Sequence, residues 1–370
     1  MRAVAVFPAK KEVRLIDHPE PASSGPTQAK MRVLDVGVCG TDREIISFQY
    51  GFPPAGSDYL IIGHESLSEV VETGPQVTKV KKGDLVVMTV RRPCPHESCI
   101  ACRAGHQDFC YTGDFTERGI KQQHGFMTEF VIEEEQYLAV VPRSLRDVAV
   151  LVEPLTIAEK SLEQLWMVQQ RLPWILARAG NAPGTGHRAV VLGAGPVGLL
   201  GAMALRIAGF DVTVYSRSHA HEEQNAVVSA IGGRYVAAET HTPADLAKLA
   251  GPIDVVYEAI GASAVAFEVI KYLGPNGVFI FTGVPGRKGP IEVDTDYIMK
   301  DVVLSNQVIL GSVNAPPHCF AAAVRDLGAF IERWPGTVRS LITARYPIEK
   351  ALDPLSEHAG GIKNVIAVGS

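Results

Sequence analysis

The feature that most restricts what this chain can fold into is a glycine turn in a defined setting. Gly193-Ala194-Gly195-Pro196-Val197-Gly198 follows the apolar run Ala189-Val190-Val191-Leu192 and leads directly into the helix-forming stretch Leu199 to Ala208. Each glycine at this spacing has a use. Gly193 permits a tight turn, Gly195 lets a pyrophosphate approach the backbone, and Gly198 allows the helix to pack closely on the sheet. The helix N-terminus then presents free N–H groups and the positive end of its dipole to the phosphates. The order strand, turn, helix separates this reading from a chance cluster of glycines.

The residues that follow keep the same rhythm. Asp211 to Tyr215, Asp254 to Tyr257, Val278 to Phe281 and Val308 to Leu310 read as apolar strands separated by helix-like segments. A doubly wound parallel sheet, covered on both faces, has this pattern. After the second strand, an NAD-specific site places an acidic residue against the ribose 2′-hydroxyl. This chain has Ser216-Arg217-Ser218 instead. Hydroxyls and a guanidinium suit a 2′-phosphate, so NADP is the expected cofactor and NAD a second one.

The first 150 residues differ. Short β-branched runs such as Met31 to Val36 and Asp84 to Met88, broken by glycine and proline, predict a compact barrel-like β domain with few helices. A helical stretch from Ile157 to Gln170 marks a domain junction, and the tail holds a helix at Cys319 to Arg333 and strands near Ile342 and Val365. At 370 residues, two domains are expected. A net charge of -5 gives no electrostatic footprint for nucleic acid or an anionic membrane. The N-terminus reads as two short strands split at Lys10-Lys11, without a signal-peptide pattern, and no apolar run approaches the ~20 residues of a membrane span. A cytoplasmic protein acting on small molecules is expected.

Two groups of metal-binding side chains lie in the β half. Cys39-Gly40-Thr41-Asp42 and Gly63-His64-Glu65 bring a thiolate, an imidazole and a carboxylate into one module, all suitable zinc ligands. Four of the six cysteines crowd into Cys94, Cys99, Cys102 and Cys110, which favours metal thiolates over disulfides.

With these residues in view, the chain resembles the medium-chain alcohol and polyol dehydrogenases, whose zinc motifs look like Cys39 to Asp42 and Gly63 to Glu65, followed by Glu153-Pro154-Leu155. The order and spacing match along nearly the whole chain. Within that superfamily it is most similar to the glucose (aldose) dehydrogenase branch, through Val90-Arg91-Arg92, Asp108-Phe109-Cys110, Gly125-Phe126-Met127, Val152 to Leu155 and Ser312-Val313-Asn314. The resemblance implies an α/β chain. A GroES-like catalytic domain would take residues 1–156 and 315–370, and a Rossmann cofactor domain 157–314.

The resemblance also implies roles. Cys39 and His64 would bind a catalytic zinc, with Glu153 a third ligand directly or through water and Glu65 approaching the metal in some states. A closed structural zinc would take Cys99, Cys102 and Cys110 with either Cys94 or His96, because four residues separate Cys94 from Cys99 where the family usually has two. Pro196, Val197, Thr282, Val284, Ser312 and Asn314 join the glycines and Ser216 to Ser218 as cofactor contacts. Thr41, Glu117, Glu153 and Asn314 would face a sugar. The implied reaction is oxidation of a cyclic aldose at C1 to the lactone, with Thr41, water or a carboxylate carrying the proton away. Val90, Ile157 and Leu304 stand where sugar-binding members are polar, which admits a deoxy sugar, another aldose or a polyol. A secondary-alcohol or polyol dehydrogenase and a nicotinamide-binding sensor are the alternatives, and a dimer or tetramer is the expected assembly.

Overall fold

A computed structural model of the chain describes residues 1–22, 25–174, 182–217, 222–286, 289–356 and 360–369. The fold is α/β and has two compact units. One comprises Met1–Thr156, Asn314–Arg333 and Val338–Ser370, the other Ile157–Val313 and Trp334–Thr337.

The first unit is mainly antiparallel β. Its N-terminal hairpin joins Arg2–Phe7 to Glu12–Asp17, turning where Lys11 takes the left-handed conformation at φ 52°. The organising strand is Gln28–Gly37, which pairs with Glu65–Thr73, Phe130–Glu134 and, from the far end of the chain, Lys363–Ala367. That last pairing, Val365 opposite Gly37, ties the C-terminal segment into this unit. Met31, Leu60, Ile62, Met88 and Phe126 are fully buried between these strands. Each contributes about 1.5–3 kcal/mol relative to exposure. Two short helices, Gly40–Ile46 and Ile100–Arg103, interrupt the strands at the two metal-ligand clusters.

The second unit is a six-stranded parallel sheet. Numbered within this unit, β1 is Arg188–Leu192, β2 Asp211–Ser216, β3 Arg234–Ala237, β4 Ile253–Glu258, β5 Leu273–Phe281 and β6 Val308–Gly311. The spatial order is β3-β2-β1-β4-β5-β6, so the order reverses between β1 and β4 and leaves a crevice above their C-terminal ends. Val190, Val191 and Leu192 are completely buried, as a central strand covered on both faces requires. β3 is a strand that the apolar-run reading does not include, because Arg234-Tyr235-Val236-Ala237 buries only its last two residues.

The junction helix is Val152–Gln169, five residues earlier in its start than the periodicity indicates. Pro154 falls in its first turn, where the missing N–H has no intrahelical partner to lose. Glu153 is therefore helical. No helix among the described residues is long and apolar enough to cross a membrane.

Candidate active site

The loops bearing Cys39 and His64 are held together by one carboxylate. Cys39 precedes the helix Gly40–Ile46, and Asp42, three residues on, accepts the Cys39 N–H at 2.9 Å. Its other oxygen accepts the Gly63 N–H at 3.2 Å and lies 3.6 Å from His64 Nδ1. Asp42 is completely buried. It was not singled out as a functional residue from sequence, although an acid three positions after the residue that starts a helix is a recognisable capping signal. Gly63 sits at φ 88°, and a Cβ there would fall 2.6 Å from Met127 Cγ. The turn into His64 therefore needs glycine.

Ligand atoms of Cys39, His64 and Glu65 lie within 4.8 Å of one another. His64 Nδ1 is buried without a hydrogen bond. A soft thiolate, an imidazole and a nearby carboxylate form a donor set that fits zinc. Burial opposes protonation of His64, but the charges of Asp42 and Cys39 outweigh it and raise its pKa well above the usual value. Thr41 Oγ1 lies 3.9 Å from Cys39 Sγ.

Glu65 is engaged from the opposite side. Lys363 Nζ donates to both its oxygens, at 2.9 and 2.6 Å, and to the Val38 carbonyl at 3.1 Å. The two side chains are 1% and 2% exposed. Gly37 stands across the strand pair from Glu65, where a Cβ would come 2.1 Å from Glu65 Oε2. Burial works against the charge on Lys363, and Glu65 and Cys39 more than offset it, so its pKa is raised. Glu153, in the first turn of the junction helix, is pushed up to about 7, chiefly by desolvation; His64 opposes the rise and Glu65 adds to it. It lies outside the three-residue cluster.

The second cluster brings the four thiols of Cys94, Cys99, Cys102 and Cys110 within 4.8 Å of one another. His96 is half-exposed and pairs instead with Asp114 at 2.8 Å. Backbone N–H groups of Cys102 and Tyr111 draw Cys99 down to about 6, while burial pushes Cys102 up to about 12. Four thiols at this separation fit a closed tetrahedral zinc site.

Glu117 and Asn314 come together: the Asn314 amide donates to Glu117 Oε1 at 3.3 Å. Arg91, directly across a strand pair, donates to the same oxygen through Nε at 3.0 Å, and its terminal nitrogen lies 3.0 Å from it in an ion pair. Its guanidinium also lies over Phe115, 3.6 Å from the ring centre. Arg91 contributes to the family resemblance, but its pairing was not foreseen. Val90 is buried in the β core, and Leu304 is 70% exposed on the second unit.

In the second unit the glycine turn is built as the spacing requires. Gly193 lies at φ 105°, a Cβ on Gly198 would fall 2.1 Å from Gly193 O, and a Cβ on Gly195 would meet nothing within 4 Å. Gly195 caps the helix Pro196–Ile207, with Pro196 in its first turn and Val197 following. Open space over that N-terminus fits a pyrophosphate. Ser216 ends β2, and Arg217 beyond it is exposed. Ser218 lies outside the described residues. Thr282 donates its hydroxyl to the Glu258 carbonyl at 2.7 Å, Val284 is 73% exposed, and the buried Ser312 hydroxyl has no hydrogen-bond partner.

A β unit with these clusters and a parallel unit with this turn define a class, the medium-chain dehydrogenases with a GroES-like and a dinucleotide-fold part. Residues 25–143 match the alcohol dehydrogenase GroES-like domain, and residues 146–368 match the glucose dehydrogenase C-terminus. A glucose 1-dehydrogenase of Methanocella arvoryzae is 38% identical over 371 residues, covering both chains completely. One from Thermoproteus tenax is 41% identical over 352 residues, 95% of this chain and 94% of that one. The solved structure of Haloferax mediterranei glucose dehydrogenase in complex with NADP, Zn and gluconolactone is 30% identical over all of both chains, with a TM-score of 0.89. The chain belongs to the glucose dehydrogenase family.

Proposed function

We propose that this chain oxidises a cyclic aldose, glucose or a close relative, at C1 to the lactone, passing hydride to NADP and less readily to NAD. The observation that carries the reading is the gathering of Cys39, His64 and Glu65 around the Asp42 clasp, in a chain whose other unit presents the glycine turn. Its homologues and the gluconolactone complex of the Haloferax enzyme support the same substrate and cofactor.

Cys39 and His64 would hold the catalytic zinc, with Glu153 or Glu65 completing the set, and the four cysteines 94, 99, 102 and 110 a structural one. When bound, catalytic zinc supplies Lewis acidity that lowers the cost of deprotonating the C1 hydroxyl. Thr41 Oγ1 or the Glu153 carboxylate would take that proton. Glu117 would read a ring hydroxyl through Oε2, since Oε1 is held by Arg91 and Asn314. Gly193, Gly195, Pro196, Val197 and Gly198 would bind the pyrophosphate. Ser216, Arg217 and Ser218 would read the 2′-phosphate, and Thr282, Val284, Ser312 and Asn314 would line the rest of the cofactor site.

We further propose a cytoplasmic enzyme, consistent with four thiols kept for metal, and a homo-oligomer. β6 is an edge strand that carries neither charge nor proline; Ile309 on it is 39% exposed, and Val303 and Leu304, on the helix just before it in the chain, are exposed as well. A second copy is the natural cover for such an edge. Sedimentation of Ile309→Lys against the unaltered chain tests this, and an unchanged oligomer rejects it.

The activity is tested by following NADPH formation by zinc-loaded protein across aldoses, deoxy sugars, polyols and secondary alcohols, with lactone assayed in parallel. Reduction with lactone from an aldose is the expected result. Reduction with polyols or simple alcohols alone would overturn it.

A further inference from the structure

Glu258 ends β4 and is 1% exposed. It pairs in register with Leu192, the last residue of β1, so it sits beside the glycine turn where the strand order reverses. Its Oε1 accepts the N–H groups of Ile260 and Gly261, both at 2.8 Å, and its Oε2 accepts that of Gly283 at 3.2 Å. Its carbonyl accepts both the N–H and the hydroxyl of Thr282. One residue therefore joins the loop after β4 to the loop after β5.

The backbones it joins are in close contact. A Cβ on Gly261, which lies at φ 70°, would fall 2.5 Å from Val284 O, and one on Gly283 would fall 2.1 Å from Gly261 N. Ile260 in turn packs on the glycine turn, where a Cβ on Gly193 would come 2.7 Å from its side chain. Three loops at the C-terminal end of the sheet thus form one platform with a buried carboxylate inside it.

We propose that Glu258 is a positioning residue for the nicotinamide half of the cofactor. A dinucleotide with its pyrophosphate on the glycine turn and its 2′-phosphate near Arg217 at the end of β2 lays its other half over the ends of β4 and β5. Those are the two loops that Glu258 holds in one arrangement. Only a carboxylate offers two oxygens that both accept. An amide at this position must turn its NH2 toward one set of backbone N–H groups, so that loop loses its side-chain acceptor, while the bonds to the Glu258 main-chain carbonyl remain.

The test measures binding of NADP and of 2′-phospho-ADP-ribose, which lacks nicotinamide, by calorimetry on the full chain. The variants are Glu258→Gln and Gly283→Ala, the second of which keeps the glutamate but puts a Cβ 2.1 Å from Gly261 N and 2.9 Å from Glu258 Oε2, forcing the two loops apart. In each, the Kd for NADP rises about tenfold, while that for 2′-phospho-ADP-ribose changes by less than about twofold. Equal loss of both ligands, or no loss of NADP, overturns the proposal. Where Glu258→Gln fails to fold, Gly283→Ala carries the same expected split and the same refutation. The proposal rests on reading the second unit as the NADP site, and the unaltered chain separates the two ideas. Binding of neither ligand there overturns that reading and this one together, whereas normal binding with parallel losses in the variants overturns this one alone.

Discussion

Replacing Asp42 by Asn tests whether one buried carboxylate assembles the catalytic metal site. Asp42 accepts the Cys39 N–H through one oxygen and the Gly63 N–H through the other. Asn offers a single acceptor of the same shape, so its NH2 must face one of those two N–H groups. A buried donor left against a donor costs about 1–3 kcal/mol. Because these N–H groups belong to the residues at or next to both expected zinc ligands, the cost falls on the geometry that zinc requires. At about 1.4 kcal/mol per factor of ten, zinc affinity should fall about 10- to 100-fold, the range for partners that orient metal ligands. Competition with a chromophoric chelator measures it, and turnover at saturating zinc should recover much more than turnover at limiting zinc. Zinc affinity within about twofold of the unaltered chain would refute the reasoning.

Other consequences follow from single contacts. Lys363→Met leaves the Glu65 carboxylate buried and unpaired, so the first unit should lose about 3–5 kcal/mol, and adding Glu65→Gln should restore part of it; a double-mutant coupling below about 1 kcal/mol in denaturant unfolding would contradict this. Arg217→Ala should raise the KM for NADP roughly tenfold or more with little change for NAD, and equal losses for the two cofactors in steady-state kinetics would remove Arg217 from the 2′-phosphate site. His124 accepts the Ile61 N–H through Nδ1 and is held down to about 4 by burial, helped by His18 and Arg118. Between pH 6.5 and 4 the unfolded chain therefore takes up a proton that the folded ring refuses, so stability should fall with pH across that window. His124→Gln should flatten that slope in thermal melts at a series of pH values, and an unchanged slope would assign it to other groups.

What was legible in the sequence was what local chemistry writes there. The glycine turn works through residues within six positions of one another, and β1 must be apolar from Ala189 to Leu192 because that stretch is buried on both faces. β3 escaped because a short strand at the edge of the sheet buries too little to leave a pattern. The choice between Cys94 and His96 could not be made from spacing, since both fit within reach of Cys99. It depends on a turn that sends His96 to Asp114 and Cys94 inward.

The residues that orient the site were harder to read in proportion to how far the chain must travel to assemble them. Asp42 was within reach, three residues from Cys39, because a capping bond is local. Lys363 meets Glu65 across 298 positions, and only the pairing of Lys363–Ala367 with Gln28–Gly37 brings it there. Glu258 gives no sequence signal at all: it closes an apolar strand as any solvent-facing acid might, and its partners are backbone N–H groups in loops that have no side-chain pattern to match. Ligands announce themselves by residue type, because zinc and pyrophosphate demand particular chemistry. The groups that hold ligands in place need only an acceptor at the right point, and the fold, not the residue type, puts it there. It follows that variants at Asp42 and Glu258 should spare the chemistry a motif describes while changing how tightly metal or cofactor is held, and affinity measurements will separate them from ligand variants where activity alone will not.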